Sequence, residues 1–494
     1  MGYVAVFDIG TTSMKGVLLD EQAAFTGASS VELETHYGAD GTVEQEPEDW
    51  WEGLLRITSR WWNEWKIDPG QVEMITFSGQ MEDVIPISDA SHRAILYSDT
   101  RAGEEAEEIN EKFPDIQQVL GNTVRASSPV AKLLWMKRHH PELDQTFDQY
   151  VFSAKDYIIY KLANTAVTDR TTGSTTGMMN LETGQWETDY IVSLGIEARK
   201  LPELLSAEEV AGQVSREASL VSGFRENTPV LCGSGDAGAS TMGAGAVSRG
   251  DAYVYMGTTG WAAMIRGNED QEAKVEGAFQ LAHIPEDAVI SIAPLLNVGN
   301  VHQWGMQTFA GKEADSYAGF EEMVESSPAG ANGLLFLPYL QGERCPVNDP
   351  DAKGAFWGVH PKTGPADFAR AVMEGICFSF KQVVDSLNES TTGSITVIGG
   401  GTKSRTWCQI LADCLGRPLS VREESEYMAA LGAASSAFIK LGWADGYHDF
   451  CDKFMSNEDS MVYEPEEEHV RLYEEKYERY LQLYPGLRGV YVSS

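Results

Sequence analysis

The chain contains one short motif twice, and each copy follows an apolar run with the composition of a β-strand. The first copy reads Phe7-Asp8-Ile9-Gly10-Thr11-Thr12-Ser13, and the second reads Tyr255-Met256-Gly257-Thr258-Thr259-Gly260. Gly10 and Gly257 are 247 residues apart in a chain of 494. Two similar halves, each with a glycine turn rich in hydroxyl groups, predict a cleft in which two loops bind one polyphosphate. The repeat therefore indicates a nucleotide-dependent enzyme.

The length and patterning of the chain favour a duplicated α/β protein. A chain of 494 residues exceeds the usual size of a single hydrophobic core, so two domains are expected. Strand-like runs alternate with helix-like runs in both halves, which is typical of the α/β class. We expect one domain in residues 1–247 and the second in residues 248–494.

The charge of the chain limits the partners it can have. It has 37 Lys and Arg residues against 74 Asp and Glu residues, which gives a formal net charge of −37. This charge disfavours nucleic acid, whose phosphates need a basic surface. An anionic nucleotide can still bind where backbone N–H groups, helix N-termini and Mg²⁺ supply local positive potential. No apolar run approaches the ~20 residues of a membrane helix, so no membrane partner is expected.

The cysteines and the N-terminus favour a cytoplasmic protein. The six cysteines show neither a CxxC pair nor a zinc-ligand spacing, and we expect them to be reduced. The first residues lead directly into a strand without the pattern of a signal peptide. The oligomeric state stays open, with a homodimer among the alternatives.

Apolar periodicity predicts the elements around the motifs. A helix begins at about residue 47 and extends to residues 61 and 62. Strand-to-helix units are expected after residues 334–340 and 395–398. The remaining predictions are strands at 3–7, 15–19, 72–77 and 229–232, the second hairpin from residue 252, and helices at 129–138, 154–162, 237–246 and 466–484.

Three glycine-rich segments carry the candidate chemistry. In the first hairpin, Asp8 can hold a hydrated Mg²⁺, and Lys15 can contact a phosphate; the alternative is an ordinary hairpin turn. Asp236 lies between a strand and a helix, where it suits a general base that takes a proton from a hydroxyl; the alternative is a helix N-cap. Gly399-Gly400-Gly401 leaves room for a flat ring or a phosphate on the backbone, and its alternative is a tight turn. It lacks the spaced GxGxxG pattern, which disfavours a dinucleotide site.

The chain resembles the FGGY carbohydrate kinases, which belong to the superfamily of sugar kinases, heat-shock chaperones and actin. The segments that carry this resemblance are residues 127–139, residues 354–375 and Phe336-Leu337-Pro338-Tyr339-Leu340-Gln341-Gly342-Glu343-Arg344. The resemblance implies two actin-like, ribonuclease H-like ATPase domains with a cleft between them. It also implies Mg-ATP as the phosphate donor, domain closure over a sugar, and Asp236 as the base that deprotonates the sugar hydroxyl.

The resemblance also assigns binding residues. It places the sugar and the catalytic Asp236 in the N-terminal domain, and it places the adenosine and a final helix in the C-terminal domain. Asp8 and Asp236 would approach Mg²⁺ through water. The residues implied for ATP are Gly10, Thr11, Thr12, Ser13, Lys15, Gly257, Thr258, Thr259, Gly399, Gly400, Gly401, Lys403 and Ser404.

The expected acceptor is a ketopentose such as D-xylulose, because Ser78-Gly79-Gln80-Met81 is similar to the sugar-facing segment of xylulose kinases. Those enzymes continue with His-Gly where this chain has Glu82 and Asp83, and they carry Asn or Gln where it has Ala237. Glu82 would repel an acidic sugar. The alternatives are a kinase of ribulose, of a glycerol- or erythritol-type polyol or of gluconate, and a chaperone-like or actin-like ATPase. Residues implied for the sugar are Gln80, Met81, Glu82, Asp99, Trp261 and Asp236; for Asp99 with Arg101 the alternative is a surface ion pair, and for Trp261 it is plain core.

Overall fold

The chain packs into two compact units. A computed structural model describes residues 2–38, 40–88, 92–267, 277–285, 288–310, 317–387, 393–422, 427–455 and 460–491. The first unit comprises residues 1–247, 279–290 and 427–456, and the second comprises residues 248–278, 291–426 and 457–494. Two segments of the C-terminal half therefore pack with the first unit, which the division at residue 247 does not anticipate.

The N-terminal half alternates strands and helices. Its strands are β1 (Tyr3–Ile9), β2 (Ser13–Leu19), β3 (Phe25–Glu32), β4 (His36–Tyr37), β5 (Val43–Gln45), β6 (Val72–Gly79), β7 (Ile85–Ile87), β8 (Ala94–Ile95), β9 (Gln149–Val151), β10 (Val167–Asp169), β11 (Met179–Asn180), β12 (Gln185–Trp186), β13 (Glu203–Leu205), β14 (Val210–Gln213), β15 (Pro229–Leu231) and β16 (Ser234–Gly235). Its helices are α1 (Pro47–Ser59), α2 (Gly103–Lys112), α3 (Ile116–Leu120), α4 (Pro129–His139), α5 (Pro141–Asp144), α6 (Ala154–Ala163), α7 (Arg170–Thr175), α8 (Thr188–Ser193), α9 (Arg216–Ser222) and α10 (Asp236–Gly243).

The C-terminal half repeats this alternation. Its strands are β17 (Ala252–Met256), β18 (Gly260–Gly267), β19 (Phe279–Ala282), β20 (Ala288–Leu295), β21 (Leu335–Leu337), β22 (Ala355–Trp357), β23 (Ile395–Ile398), β24 (Leu419–Val421) and β25 (Met461–Tyr463). Its helices are α11 (Gly299–Gly305), α12 (Tyr317–Glu325), α13 (Pro365–Leu387), α14 (Arg405–Leu415), α15 (Met428–Leu441), α16 (Tyr447–Phe454), α17 (Glu467–Tyr480) and α18 (Leu483–Leu487). None of the described helices has the length and apolar character needed to cross a membrane.

The sheet of the first unit aligns the ends of three strands. Its order is β14-β15-β6-β1-β2-β3, and β16 also pairs with β6. β1 and β2 form the predicted antiparallel hairpin, whereas β1 and β16 both run parallel to β6. In this register Asp8 lies opposite Ser78, and Gly79 lies opposite Gly235. The chain therefore leaves all three strands at one edge of the sheet.

Burial on both faces explains the apolar composition of the central strand. Residues 4–7 of β1 are fully buried, as expected for a central strand covered by helices on both sides. The Phe7 ring lies 5.3 Å from Trp61 and 6.0 Å from Phe77. This packing fixes the strand that ends at Asp8.

Helix α15 joins the first unit because its backbone touches that of α10. A Cβ atom on Gly432 would lie 1.9 Å from the carbonyl oxygen of Ala239, and one on Gly243 would lie 2.0 Å from the carbonyl oxygen of Met428. Only glycine permits such an approach. Sequence periodicity carries no sign of this contact, because the two helices are almost 200 residues apart.

The sheet of the second unit repeats the hairpin-plus-parallel arrangement. It contains the order β18-β17-β23-β24-β25. β17 and β18 form the second predicted hairpin, and β17 runs parallel to β23 with Tyr255 opposite Ile398. The α/β class predicted for both halves is confirmed.

Proline accounts for two predictions that are wrong in detail. The strand expected at 334–340 ends at Leu337, before Pro338, and pairs antiparallel with β22 instead of leading into a helix. The tail expected to form one helix at 466–484 forms α17 and the short α18, which contains Pro485. A proline inside a helix clashes with the carbonyl four residues earlier, so a single helix cannot continue.

The contact between α10 and α15 predicts a strong effect of one added methyl group. We expect Gly432→Ala to destabilise the protein by roughly 3 kcal/mol or more, because the new Cβ would overlap backbone atoms that cannot rotate away. The matched control is Gly446→Ala, since no atom lies within 4 Å of a Cβ at that position. Thermal unfolding of both variants measures the effect, and equal melting temperatures would contradict this packing.

Candidate active site

Three polar residues meet at the strand-end edge of the first sheet. Asp8 is the second-last residue of β1, Gln80 directly follows β6, and Asp236 directly follows β16. Gly233 precedes β16 with a φ of +66°, and a Cβ there would lie 2.4 Å from the carbonyl oxygen of Phe77. The sequence predicted functional roles for Asp8, Gln80 and Asp236, and the structure brings them together.

Asp236 has the electrostatic setting of a proton acceptor. Gly235 is the N-cap of α10 and Asp236 is the first helical residue, so the N-cap interpretation of its carboxylate is wrong. Burial, and then the charge of Asp8, raise the pKa of Asp236 to about 7. A carboxyl group that titrates near neutrality suits general base catalysis.

The first Gly-Thr-Thr turn is held by two buried amides. The N–H of Gly10 donates to the carbonyl of Ser13 at 3.1 Å and closes the turn. The Thr11 hydroxyl donates to Oε1 of Gln80 at 2.9 Å, and Nε2 of Gln45 donates to the Thr11 carbonyl at 2.7 Å. Gln80, predicted to face the sugar, thus braces this turn and also donates to Gln45 at 3.1 Å. Gln45 has no motif around it, and the sequence did not indicate it.

The other loop residues lie at the start of β2. The N–H of Leu33 donates to the Thr12 carbonyl at 2.9 Å, which ties the turn to β3. Lys15 lies opposite Asp8 across the hairpin, and its Nζ is 5.5 Å from the centre of the Tyr427 ring. The charge of Lys15 opposes the upward shift that burial imposes on the pKa of Asp8.

The residues that replace His-Gly form an acidic corner in which Glu82 is partly exposed and Asp83 is buried. Asp83 is fully buried, and its Oδ1 accepts from the N–H of Tyr97 at 3.1 Å, whereas its Oδ2 has no hydrogen-bond partner in the described structure. Burial raises the pKa of Asp83 well above its usual value, and the nearby Asp236 adds to the shift. Lys132 donates to the carbonyls of Glu82 and Leu96 at 2.8 and 2.6 Å, and burial lowers its pKa to about 8.

Asp99 and Arg101 form a buried contact, so the alternative of a surface ion pair is wrong. Asp99 is fully buried and accepts from the N–H of Val43 at 2.8 Å and from Nη2 of Arg101 at 2.6 Å. Arg101 also contacts Glu44 at 2.6 Å, and its guanidinium lies 4.8 Å from the Trp135 ring centre. Both carboxylate oxygens of Asp99 are engaged by the protein.

A buried ion cluster packs against the strands that carry Gln80 and Asp236. Lys155 contacts Asp156 at 2.6 Å and Asp169 at 3.0 Å, and the Thr172 hydroxyl donates to Asp169 at 2.6 Å. Burial would raise the pKa of Asp169, but Lys155 and Thr172 outweigh it and lower the pKa. A Cβ on Gly235 would lie 2.9 Å from Oγ1 of Thr172, so the cluster contacts the residue before Asp236.

The sequence did not reveal this cluster. Its only signal is the charged pair Lys155-Asp156 within an otherwise apolar helix pattern. A charged pair of this kind usually lies on a solvated face.

The two carboxylates of the edge fit a magnesium ion. Burial, and then the charge of Asp8, raise the pKa of Asp236, and a divalent cation would relieve the repulsion between the two carboxylates. Mg²⁺ is commonly held by one or two carboxylates together with water and phosphate oxygens. Within the described ranges no group of three or more His, Cys, Asp or Glu side chains could hold a metal ion. Asp8 and Asp236 could hold Mg²⁺ only together with phosphate oxygens and water as further ligands.

In the second unit, parallel strands bring two glycine segments together. β17 leads into the Gly257 turn and β23 leads into Gly399, so both segments emerge at one sheet edge. Gly399 has a φ of +98°, and a Cβ there would lie 2.6 Å from the carbonyl oxygen of Met256. The N–H of Gly257 donates to the carbonyl of Thr259 at 3.0 Å.

These glycine segments line a cavity of about 630 Å³. Of the residues predicted to bind ATP, the lining includes Gly257, Thr258, Gly400, Gly401, Lys403 and Ser404. The rest of the wall is aromatic in part: the His302 ring is stacked between Trp407 at 5.0 Å and Tyr317 at 5.6 Å. Such a wall suits a planar base. The sequence did not indicate these aromatic residues, because they come from three separate segments.

Ser404 and Trp261 make contacts beyond their predicted roles. The Ser404 hydroxyl caps α14 by accepting from the N–H of Trp407 at 3.1 Å, and it also donates to Glu321. Trp261 is stacked on Tyr255 at 3.9 Å, and Tyr255 lines the cavity. The Trp261 ring therefore supports the cavity wall from the neighbouring strand.

Comparisons with known proteins agree with this arrangement. The N-terminal domain of the FGGY family of carbohydrate kinases matches residues 3–243, and the C-terminal domain matches residues 252–441. The chain is 28% identical to a xylulose kinase of Bacillus subtilis (strain 168), over 98% of this chain and 97% of that protein.

Solved structures of two enzymes from Lactobacillus acidophilus are also similar. A ligand-bound xylulose kinase has a TM-score of 0.89 at 25% identity, and a gluconate kinase has a TM-score of 0.89 at 26% identity. Each comparison covers 99% of both chains. The two-domain α/β fold is confirmed, and the chain belongs to the FGGY family of carbohydrate kinases.

Proposed function

We propose that this kinase transfers the γ-phosphate of Mg-ATP to a hydroxyl of a neutral sugar, with D-xylulose as the leading candidate. One observation carries the proposal: a carboxyl group with a pKa of about 7, Asp236, stands at the end of β16 near Asp8. This setting suits removal of a proton from an alcohol as phosphoryl transfer begins.

The two units have different roles in this proposal. The second unit binds the adenosine in its aromatic cavity and contacts phosphate through the Gly257 turn. In the first unit, Asp236 takes the proton of the sugar hydroxyl, and the Gly10 turn with Lys15 binds phosphate oxygens. Mg²⁺, when bound by Asp8 and Asp236, would neutralise phosphate charge. Positioning and charge neutralisation then supply most of the rate enhancement.

Charge in the first unit favours a neutral acceptor over an acidic one. Asp8 and Glu82 interact electrostatically with Asp236, whereas the buried Asp83, whose pKa is raised well above its usual value, adds little negative charge. A gluconate carboxylate near this group would be repelled, because like charges disfavour each other's ionised forms. Overall similarity does not separate the two substrates, since the xylulose and gluconate kinase structures match with equal TM-scores.

The thiols support a reducing location. None of the six cysteines, all of which lie in the described part of the chain, forms a disulfide, and a reducing compartment keeps thiols in this state. We therefore include a cytoplasmic location in the proposal. The partners that we propose are small-molecule substrates.

A panel of acceptors tests the function. We expect ATP-dependent ADP release with D-xylulose to exceed release with gluconate by at least about tenfold, because the acidic corner repels the sugar acid. Ribulose, glycerol and erythritol complete the panel, and the rate without sugar is the baseline. If no acceptor raises ADP release above the baseline, sugar kinase activity is wrong; if gluconate is preferred, the charge argument is wrong.

The buried cluster predicts an effect on catalysis without direct contact to substrate. Asp169→Asn should lower kcat by roughly 10- to 100-fold, because a small displacement of Asp236 is enough to misalign the base. The KM for ATP should change by less than about threefold, since the nucleotide cavity is in the other unit. Steady-state kinetics on equal amounts of folded enzyme measures both.

Asp20→Asn is the matched control for Asp169→Asn. Asp20 is also a buried aspartate that accepts two backbone N–H groups, but it lies in the turn after β2. We expect this control to leave kcat unchanged. A kcat for Asp169→Asn equal to that of the unmodified protein would refute the positioning role of the cluster.

A further inference from the structure

A buried glutamate in the second unit has no role in the mechanism so far. Glu343 is 2% exposed and accepts three hydrogen bonds. Its Oε1 accepts from the N–H groups of Leu296 at 2.7 Å and Arg344 at 2.8 Å, and its Oε2 accepts from Nδ2 of Asn297 at 2.9 Å. The carboxylate is therefore hydrogen-bonded to Leu296 and Asn297, the first two residues of the segment 296–300.

The orientation of the Asn297 amide is fixed by its other contacts. Nδ2 also donates to the carbonyl of Gly342 at 2.6 Å, and Oδ1 accepts from the N–H of Leu340 at 3.0 Å. Since both ends of this fully buried amide are engaged, Nδ2 must face Glu343. An acceptor is thus required at position 343.

The far end of the segment holds the second Gly-Thr-Thr turn. The N–H of Gly299 donates to the carbonyl of Gly257 at 3.0 Å, and the N–H of Asn300 donates to the carbonyl of Thr258 at 3.0 Å. A Cβ on Gly299 would lie 2.4 Å from the Gly257 oxygen, so the segment lies directly against the turn. Both contacts engage carbonyl oxygens, whose partial negative charge would repel phosphate if they faced it.

We propose that Glu343 is a positioning residue for the nucleotide: through the segment 296–300 it holds the Gly257 turn in the geometry that binds ATP phosphate. The inference rests on the proposed function, because it assumes that this turn binds ATP. Gly257, Thr258 and Gly299 all line the 630 Å³ cavity, so a displacement of the segment would reshape the wall that meets the nucleotide. Preorganised groups of this kind lose affinity when their support is removed.

The carboxylate of Glu343 is costly to bury. Burial raises the pKa of Glu343 to about 7, so its ionised form is disfavoured by the surroundings even though three donors face it. Buried ionisable groups with strongly shifted pKa values concentrate at functional sites. The proposed positioning role explains why a side chain with two acceptor oxygens lies at this position.

Glu343→Gln tests the proposal. The glutamine amide has only one acceptor oxygen, so its NH₂ group must face either Nδ2 of Asn297 or the two backbone N–H groups. The variant therefore loses at least one of the three hydrogen bonds that Glu343 accepts. We expect the dissociation constant for ATP, measured by calorimetry, and the KM for ATP to rise about tenfold or more. The KM for the sugar should change by less than about threefold. An ATP affinity equal to that of the unmodified protein would overturn the proposal.

A double variant tests the same contact by restoring it. In Glu343→Gln with Asn297→Asp, the new carboxylate at position 297 can accept from the glutamine amide and still accept from the N–H of Leu340, but the carbonyl of Gly342 loses its donor. We expect the double variant to recover part of the ATP affinity, and failure to recover any would count against the positioning role of Glu343. If Glu343→Gln does not fold, this double variant still tests the contact.

Glu374→Gln is the matched control for a loss of stability. Glu374 is also buried in the second unit and accepts from Arg370, Tyr473 and the N–H of Gly330, but it does not contact the segment 296–300. We expect unchanged ATP affinity in the folded control, and an equal loss would overturn the positioning role. If the unmodified protein itself fails to bind ATP, the proposed function fails and this inference fails with it.

Discussion

The parallel pairing of β1, β6 and β16 sets the positions of Asp8 and Asp236, the two central carboxylates of the candidate site. Because the strands are in register, Asp8 lies opposite Ser78, and Gly235 lies opposite Gly79. A shift of one residue in either pairing would turn these side chains to the other face of the sheet. The close approach of Gly233 to β6 and the apolar packing of β1 maintain this register. The chemistry of the first unit therefore depends on backbone pairing before it depends on any side-chain contact.

The two units of this acidic protein differ in the groups that line their candidate binding sites. In the second unit the cavity wall is largely glycine backbone and aromatic rings, and in the proposed function these groups bind phosphate and base without a net positive charge. The first unit instead buries Asp236 beside other carboxylates; burial first, and then the charge of Asp8, raise its pKa, and in the proposed function these charges favour an uncharged acceptor. The formal net charge of −37 is thus compatible with nucleotide binding, as the sequence indicated.

The sequence predicted those parts of the site that local chemistry determines. Asp8 and Asp236 were predicted because each is a carboxylate that follows an apolar strand and lies near glycine. The glycine turns at 257 and 399 were predicted because each follows an apolar strand. Contacts between distant segments could not be read from it. Gln80 was expected to face the sugar, but its amide contacts Thr11 and Gln45, which lie 69 and 35 residues away. The stacking of His302 with Trp407, and the packing of α15 on α10 through Gly432, likewise depend on tertiary structure alone.

The account makes Asp236 the base of a phosphoryl transfer whose nucleotide is bound mainly by other residues. Phosphorus NMR of the Asp236→Asn variant, with ATP and the best sugar acceptor, tests this claim most directly. The account predicts that formation of sugar phosphate falls by about 10²- to 10⁴-fold, because no group then takes the proton of the hydroxyl. It also predicts that the dissociation constant for ATP stays within about threefold of that of the unmodified protein. Sugar phosphorylation within about tenfold of the unmodified rate would contradict the assignment of Asp236 as the base.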